Sequence, residues 1–227
     1  MDDINQLRHG LDTLREQSAR LHPTAPSPQT HLELVALGSW DRADELVEGL
    51  QRLAAPPART RCCSILARTL WEDSITLAYI AKNPASRIEQ ARASLVRDYD
   101  DLARAPWSRN LNFDPMPDDA MEWLRQRRQI EKNARKAANK SSVSVPADSY
   151  ACLPSVYERA KAVNGEEMYA VYQVESRDGV HFGLAAIANV PGMDPGRLLL
   201  TLSLAIESYR VLLRTVAGCL GIENSIP

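Results

Sequence analysis

Several signals that would indicate strands, a membrane anchor or secretion are missing from this 227-residue sequence. No Asn-Gly or Asp-Gly turn joins two alternating apolar runs, and Val, Ile and Phe are sparse beside Leu and Ala, so β-hairpins are not predicted. The longest apolar run, 198–206, is about half of the roughly 18 residues that a membrane span needs. The first residues lack the basic and apolar regions of a secretory signal. We therefore expect a cytoplasmic protein with no membrane contact.

Metal, disulfide and cofactor motifs are absent as well. Of the four cysteines, Cys62 and Cys63 are adjacent, and neighbouring side chains on a helix point in different directions; no CxxC spacing occurs. The sequence contains no Gly-rich phosphate loop, no HExxH and no GxSxG, so NTPase, metalloprotease and esterase functions lack support. The sequence predicts neither a bound metal nor a cofactor.

Helical periodicity, by contrast, runs through almost the whole chain. Apolar residues at intervals of three and four are typical of amphipathic helices. Such helices are predicted over residues 3–21, 41–54, 58–82, 86–104, 118–140, 153–163, 166–176 and 194–220.

The predicted helices indicate an all-α fold. The Pro/Ser/Thr-rich stretch 22–31 and the Ser/Val-rich stretch 140–148 are predicted linkers. We expect a helical bundle over residues 56–227 and an N-terminal helical appendage over residues 1–55. The helices over 58–82 and 195–220 are apolar on more than one face and should be the longest and most buried.

Positive charge is concentrated in the helix predicted over 118–140. The whole chain has a formal charge of −2, yet residues 125–140 contain seven basic residues and one acid. Arg128 and Lys132 on this helix could contact a phosphate backbone, with Trp123 nearby for stacking. A solvated helix face would explain the same charge run.

A cluster of polar residues lies in the otherwise apolar C-terminal region. Tyr169, Tyr172 and Ser176 recur at helical spacing, so their hydroxyls share one face. Arg177 and His181 then stand four residues apart, and His181 is the only histidine in the C-terminal two thirds of the chain. A guanidinium and an imidazole at this spacing could act on one bound group. This segment is therefore a candidate site.

Arg68 and Glu72 form a second polar set, on the predicted central helix. They are four residues apart on one face, and burying such charges costs several kcal/mol unless they are paired. They could form an intrahelical pair that braces the bundle. Alternatively, Glu72 could fix the tautomer of His181 or receive a ligand's cationic group. Because buried polar groups need partners, we expect Glu72, Ser176 and His181 to converge.

Three segments in succession, Arg59–Pro84, Leu153–Lys161 and Tyr169–His181, together resemble a bacterial family of uncharacterised helical domains. That family looks related to the HEPN superfamily (higher eukaryote and prokaryote nucleotide-binding), and the resemblance covers residues 58–215. Many HEPN proteins are metal-independent RNases of toxin–antitoxin and phage-defence systems, often dimeric with a shared site. The resemblance therefore implies RNA as substrate, a homodimer, and a protein partner such as an antitoxin.

The HEPN motif pairs an arginine with a following histidine, which implies Arg177, His181 and the neighbouring Ser176 as catalytic residues. Histidine and arginine supply a base near neutral pH and a cation for the phosphorane without a metal. Six residues are predicted to bind substrate: Tyr169, Tyr172, Glu72 and Arg68, together with Arg128 and Lys132 of the basic helix.

Arg177 and His181 enclose only three residues, fewer than the HEPN motif has. This spacing favours an alternative function, a non-catalytic helical module that binds a protein partner or a small ligand. In that case the Tyr/Ser/His cluster would be a pocket wall or a structural network.

Overall fold

The computed structural model describes residues 2–56, 58–105, 116–143, 145–175 and 195–222. Regular structure in these ranges is entirely helical, with no strand, which confirms the all-α prediction. No helix in the same ranges has the length and apolar character needed to cross a membrane.

Eight α-helices lie in the described part of the chain, and most begin and end within a few residues of the predicted positions. They are α1 (Asp2–Leu21), α2 (His31–Ala54), α3 (Thr60–Lys82), α4 (Pro84–Arg104), α5 (Asp118–Ser141), α6 (Val156–Ala162), α7 (Glu166–Glu175) and α8 (Pro195–Leu220).

Helix α2 begins ten residues earlier than the sequence analysis predicted. The Thr30 hydroxyl accepts a hydrogen bond from the Glu33 amide at 3.2 Å, and the Glu33 carboxylate accepts one from the Thr30 amide at 3.2 Å. This reciprocal capping box satisfies two amides that the first turn would otherwise leave unpaired. Ser39 and Asp41, either of which could have capped a helix that began at residue 41, instead lie inside α2.

One compact unit comprises Met1–Lys82 and Ala160–Pro227. Within it, α3 packs against α2 and α8, and α1 and α2 also pack against α8. Leu70 and Leu77 of α3 and Leu202 and Leu212 of α8 are almost completely buried. The prediction that these two helices form the centre is confirmed. The predicted ranking by length is wrong for α3, because its 23 residues are one fewer than in α2 or α5.

Helices α1 and α2 contribute to the core of this same unit. Leu11 and Leu14 of α1 and Trp40 and Val47 of α2 are each at most 2 % exposed. The expected division at residue 55 therefore falls inside a compact unit. The division of the chain into an appendage over 1–55 and a bundle over 56–227 stays a prediction, which a truncation described below tests.

A second compact unit comprises Asn83–Arg159. Its α4 and α5 pack around Ala93, Val96 and Leu124. Side chains of the two helices also hold the segment 147–153 by its backbone: Gln90 Nε2 donates to the Ala147 carbonyl at 2.9 Å, Arg127 Nε donates to the Ala151 carbonyl at 3.0 Å, and the Ala151 amide donates to Glu131 Oε2 at 3.0 Å. These bonds position α5 within its own unit.

Candidate functional site

Arg68, Glu72 and Tyr172 form a closed hydrogen-bonded triangle between α3 and α7. On α3, Arg68 Nε donates to Glu72 Oε1 at 2.9 Å, which makes the intrahelical ion pair expected from their spacing. From α7, the Tyr172 hydroxyl accepts from Arg68 Nη2 at 3.2 Å and donates to Glu72 Oε1 at 2.7 Å. Each group therefore bonds to the other two, and α7 is tied to the central helix.

Aromatic stacking reinforces this attachment. The Tyr172 ring stacks on Trp71 of α3, with ring centroids 4.7 Å apart, and on Tyr169 of α7, at 5.5 Å. The Arg68 guanidinium lies 5.2 Å from the centre of the Tyr172 ring, within cation–π range. The sequence analysis missed Trp71, although its position one residue before Glu72 and three after Arg68 could have indicated it.

The cluster combines buried rings with partly exposed charges. Trp71 is 2 % exposed, whereas the side chains of Arg68 and Glu72 are 25 % and 30 % exposed. Burial by itself would lower the pKa of Arg68, but the Tyr172 hydroxyl and the Glu72 carboxylate raise it above its ordinary value. A guanidinium that never deprotonates cannot transfer protons. The cluster is therefore suited to positioning and to charge stabilisation, not to acid–base catalysis by Arg68.

The three predicted catalytic residues, Ser176, Arg177 and His181, lie outside the described residues. Their expected convergence with Glu72 lies outside them for the same reason. Helix α7 ends at Glu175, so the candidate catalytic segment follows the Tyr172 attachment directly along the chain.

Arg128 and Lys132 belong to the other compact unit, on an exposed face of α5. Arg125 and Arg135 on the same helix pair with Glu122 and Glu131. No ion pair involving the remaining exposed cations is found in the described ranges; these are Arg128, Lys132, Lys136 and Lys140. The structure thus brings together four predicted substrate-binding residues in one unit and places two on a surface of the other.

Trp123 does not offer a free ring beside the basic helix. The guanidinium groups of Arg92 and Arg127 lie 5.2 and 5.5 Å from its ring centre, and the indole packs against the core of its unit. Tyr150 is similarly covered by Arg135, at 5.3 Å. Stacking of a base on Trp123 stays a prediction, in which the base would have to share the ring with the guanidinium groups of Arg92 and Arg127.

A second polar network, which the sequence analysis missed, joins α1, α2 and α8. The Trp40 Nε1–H donates to Ser18 Oγ at 2.6 Å, and the Ser18 hydroxyl donates to Asp44 Oδ1 at 2.9 Å. The Tyr209 hydroxyl donates to the same carboxylate oxygen. Burial, followed by the charge of Asp44, raises the pKa of Tyr209. Ser18 and Asp44 occupy positions in apolar helix stripes, which is the signal that could have revealed them.

No group of three or more His, Cys, Asp or Glu residues that could hold a metal ion occurs in the described stretches of the chain. The segment that contains His181 lies outside these stretches. No resident metal centre is assigned on this geometry.

Comparison with known sequences and structures places the chain in a family. Residues 45–197 match DUF5677, a family of unknown function. No curated protein and no solved structure matches the chain. Since the matched range covers more than half of the 227 residues, the chain belongs to DUF5677, a family of unknown function.

Proposed function

We propose that this protein is a metal-independent endoribonuclease whose catalytic segment follows α7. The observation that carries the proposal is the attachment of Tyr172 to Arg68 and Glu72, which fixes α7 within a few residues of Ser176 and Arg177. Catalytic groups must be held within about 0.5 Å of a productive position by elements that are themselves fixed. A short helix with both polar and aromatic attachment to the central helix meets that need.

The proposed reaction uses the 2′-hydroxyl of RNA as the nucleophile. His181 accepts the 2′-hydroxyl proton, because imidazole is a base poised near neutral pH. The 2′-oxygen attacks the adjacent phosphorus, and Arg177 stabilises the charge of the phosphorane. The bond to the 5′-oxygen breaks, that oxygen takes a proton from water, and the products carry a 2′,3′-cyclic phosphate and a 5′-hydroxyl.

In this proposal Arg68, Glu72 and Tyr172 are positioning residues. Tyr172 is 8 % exposed, and its ring contacts both Trp71 and Tyr169, whose centroids lie 6.1 Å apart, so little of the ring is open to a base of the substrate. Substitution here should therefore lower the cleavage rate and leave its pH dependence, which His181 sets, unchanged.

The test compares wild type with His181→Ala and with His31→Ala, an exposed histidine at the start of α2. We expect His181→Ala to abolish cleavage of a mixed panel of RNAs while far-UV circular dichroism stays unchanged. The His31→Ala control should cleave like wild type, EDTA should have no effect, and the products should carry cyclic phosphate ends. Equal cleavage by wild type and His181→Ala, or loss of cleavage with EDTA, refutes this mechanism.

A toxin or phage-defence role, a homodimer and an antitoxin partner extend this proposal. They rest on the resemblance to HEPN proteins and predict that expression of the wild type, but not of His181→Ala, arrests bacterial growth. Growth that is equal with both proteins would argue against a toxin role.

The alternative is a non-catalytic helical module that binds a protein partner or a small ligand. One observation favours it: Arg68, Glu72 and Tyr172 satisfy one another, as members of a purely structural network do. Absence of cleavage by wild type across the whole RNA panel would support this module over the nuclease.

A further inference from the structure

Helix α5 carries a row of four cations, two of which, Arg128 and Lys132, the sequence already indicated as substrate contacts. Arg128, Lys132, Lys136 and Lys140 follow one another at four-residue intervals and are all exposed. Four residues of α-helix rise about 6 Å, so the row extends for about 18 Å along one side of α5.

The surroundings of this row do not neutralise it. Glu131 is the only acid between Trp123 and Ala147, and its carboxylate accepts from the Ala151 amide at 3.0 Å and pairs with Arg135 at 2.6 Å. Beside the row, Gln129 Nε2 donates to Asn133 Oδ1 at 3.0 Å, and both residues are uncharged. The one acid within this row is thus bonded to Arg135 and to the Ala151 amide, and in the described part of the chain no ion pair forms with any of the four cations.

A solvated helix face is normally built differently. Solvent-exposed helices usually alternate charges of opposite sign, which gain energy at a spacing of four residues. Three successive pairs of like charge at that spacing are unfavourable instead. A bound polyanion would remove this repulsion and release the counterions that the row attracts.

We propose that this row binds the phosphate backbone of single-stranded RNA. A regular line of cations suits a regular line of phosphates, and the choice of RNA as the polyanion rests on the proposed function. Guanidinium groups lie 5.2 to 5.5 Å from the centres of the nearby rings of Trp123 and Tyr150, so we expect phosphate contacts to dominate and binding to be largely independent of sequence. Lysine is depleted in protein interfaces, so a row with three lysines favours a polyanion over a protein partner.

The experiment measures affinity for a 20-nucleotide RNA with 2′-O-methyl riboses, which binds but cannot be cleaved by its own 2′-oxygen. Dissociation constants are measured at several salt concentrations for wild type and for a variant in which the four cations of the row become glutamine. Each phosphate contact to a single strand contributes about 0.7 to the slope of log affinity against log salt. Loss of four contacts should therefore flatten the slope by about 3.

A matched control removes the same charge from the other compact unit. It replaces four exposed cations by glutamine, namely Arg20, Arg52, Lys161 and Arg214. We expect this control to keep the wild-type slope. A row variant with the wild-type slope, equal flattening in both variants, or an absence of RNA binding by wild type would each overturn the proposal.

The binding test separates this proposal from the proposed nuclease. His181→Ala should bind the methylated RNA with the wild-type slope although it does not cleave RNA. If the wild-type protein binds RNA through the row but cleaves no RNA, the proposed nuclease activity is refuted and the proposed RNA-binding surface is retained. If the wild-type protein cleaves RNA and the row variant keeps the wild-type salt slope, the nuclease proposal is retained and the RNA-binding surface is refuted.

Discussion

Replacing Tyr172 by phenylalanine tests whether the hydroxyl ties α7 to α3. The substitution keeps the ring that stacks on Trp71 at 4.7 Å. It removes the hydrogen bond from Arg68 at 3.2 Å and the bond to Glu72 at 2.7 Å. Arg68 and Glu72 still pair with each other at 2.9 Å, and water reaches both because their side chains are 25 % and 30 % exposed.

The expected loss follows from the charge and exposure of the two partners. Hydrogen bonds to charged groups contribute about 1.5–3 kcal/mol in buried sites, and water at this partly exposed site replaces part of that. We expect Tyr172→Phe to lower the free energy of unfolding by about 1–2 kcal/mol. In a chain of this size, each kcal/mol shifts Tm by about 2–4 °C, so Tm should fall by about 2–8 °C.

A double-mutant cycle isolates the contact. Glu72→Gln keeps an acceptor for Tyr172 but removes the charge, so the double variant should lose less than the sum of the single losses. We expect a coupling of about 0.5–1.5 kcal/mol from urea unfolding followed by far-UV circular dichroism. A coupling below about 0.3 kcal/mol, the usual error of additivity, or a Tyr172→Phe protein as stable as wild type, would refute the proposed attachment.

Two further predictions concern pH dependence and the N-terminal helices. Partial burial alone would raise the pKa of Asp148, but hydrogen bonds from Arg87 and Asn83 hold this pKa below its ordinary value. The charged carboxylate therefore stabilises the fold at pH values above the pKa of the unfolded chain, and this stabilisation is lost as pH falls through the lowered pKa of the folded state. Asp148→Asn should therefore lower the free energy of unfolding by less than about 1 kcal/mol at pH 7, since the carboxylate is 44 % exposed. The stability difference between this variant and wild type, measured by urea unfolding, should shrink below about pH 4. A difference that stays constant with pH would contradict this. A protein of residues 56–227 alone should lack a cooperative thermal transition. Loss of α1 and α2 exposes several large side chains whose burial contributes about 1.5–3 kcal/mol each, whereas the whole fold is stable by only about 5–15 kcal/mol. A cooperative transition would instead support an N-terminal appendage that the bundle does not need.

The sequence alone determined which segments are helical and which residues share a face. Local signals mark these helices: the apolar spacing, Pro84 in the first turn of α4, and Gly221 after α8, where φ is +65°. They are local because the backbone hydrogen bonds of a helix join residues only four apart. The start of α2 was also encoded locally, in the Thr30 and Glu33 capping box. Arg68 and Glu72 could be paired from sequence for the same reason, because both lie on one helix.

Only the tertiary structure decided which helix faces meet. Tyr172 is 104 residues from Arg68 along the chain, and Tyr209 is 165 from Asp44, so no local periodicity could pair them. Each helix has an apolar stripe that any of several neighbouring helices could cover. Which helix covers it depends on the packing of all the helices together and on the hydrogen bonds that buried polar groups require. The same packing placed α1 and α2 within the compact unit that contains α3 and α8, which the periodicity of the single helices could not show.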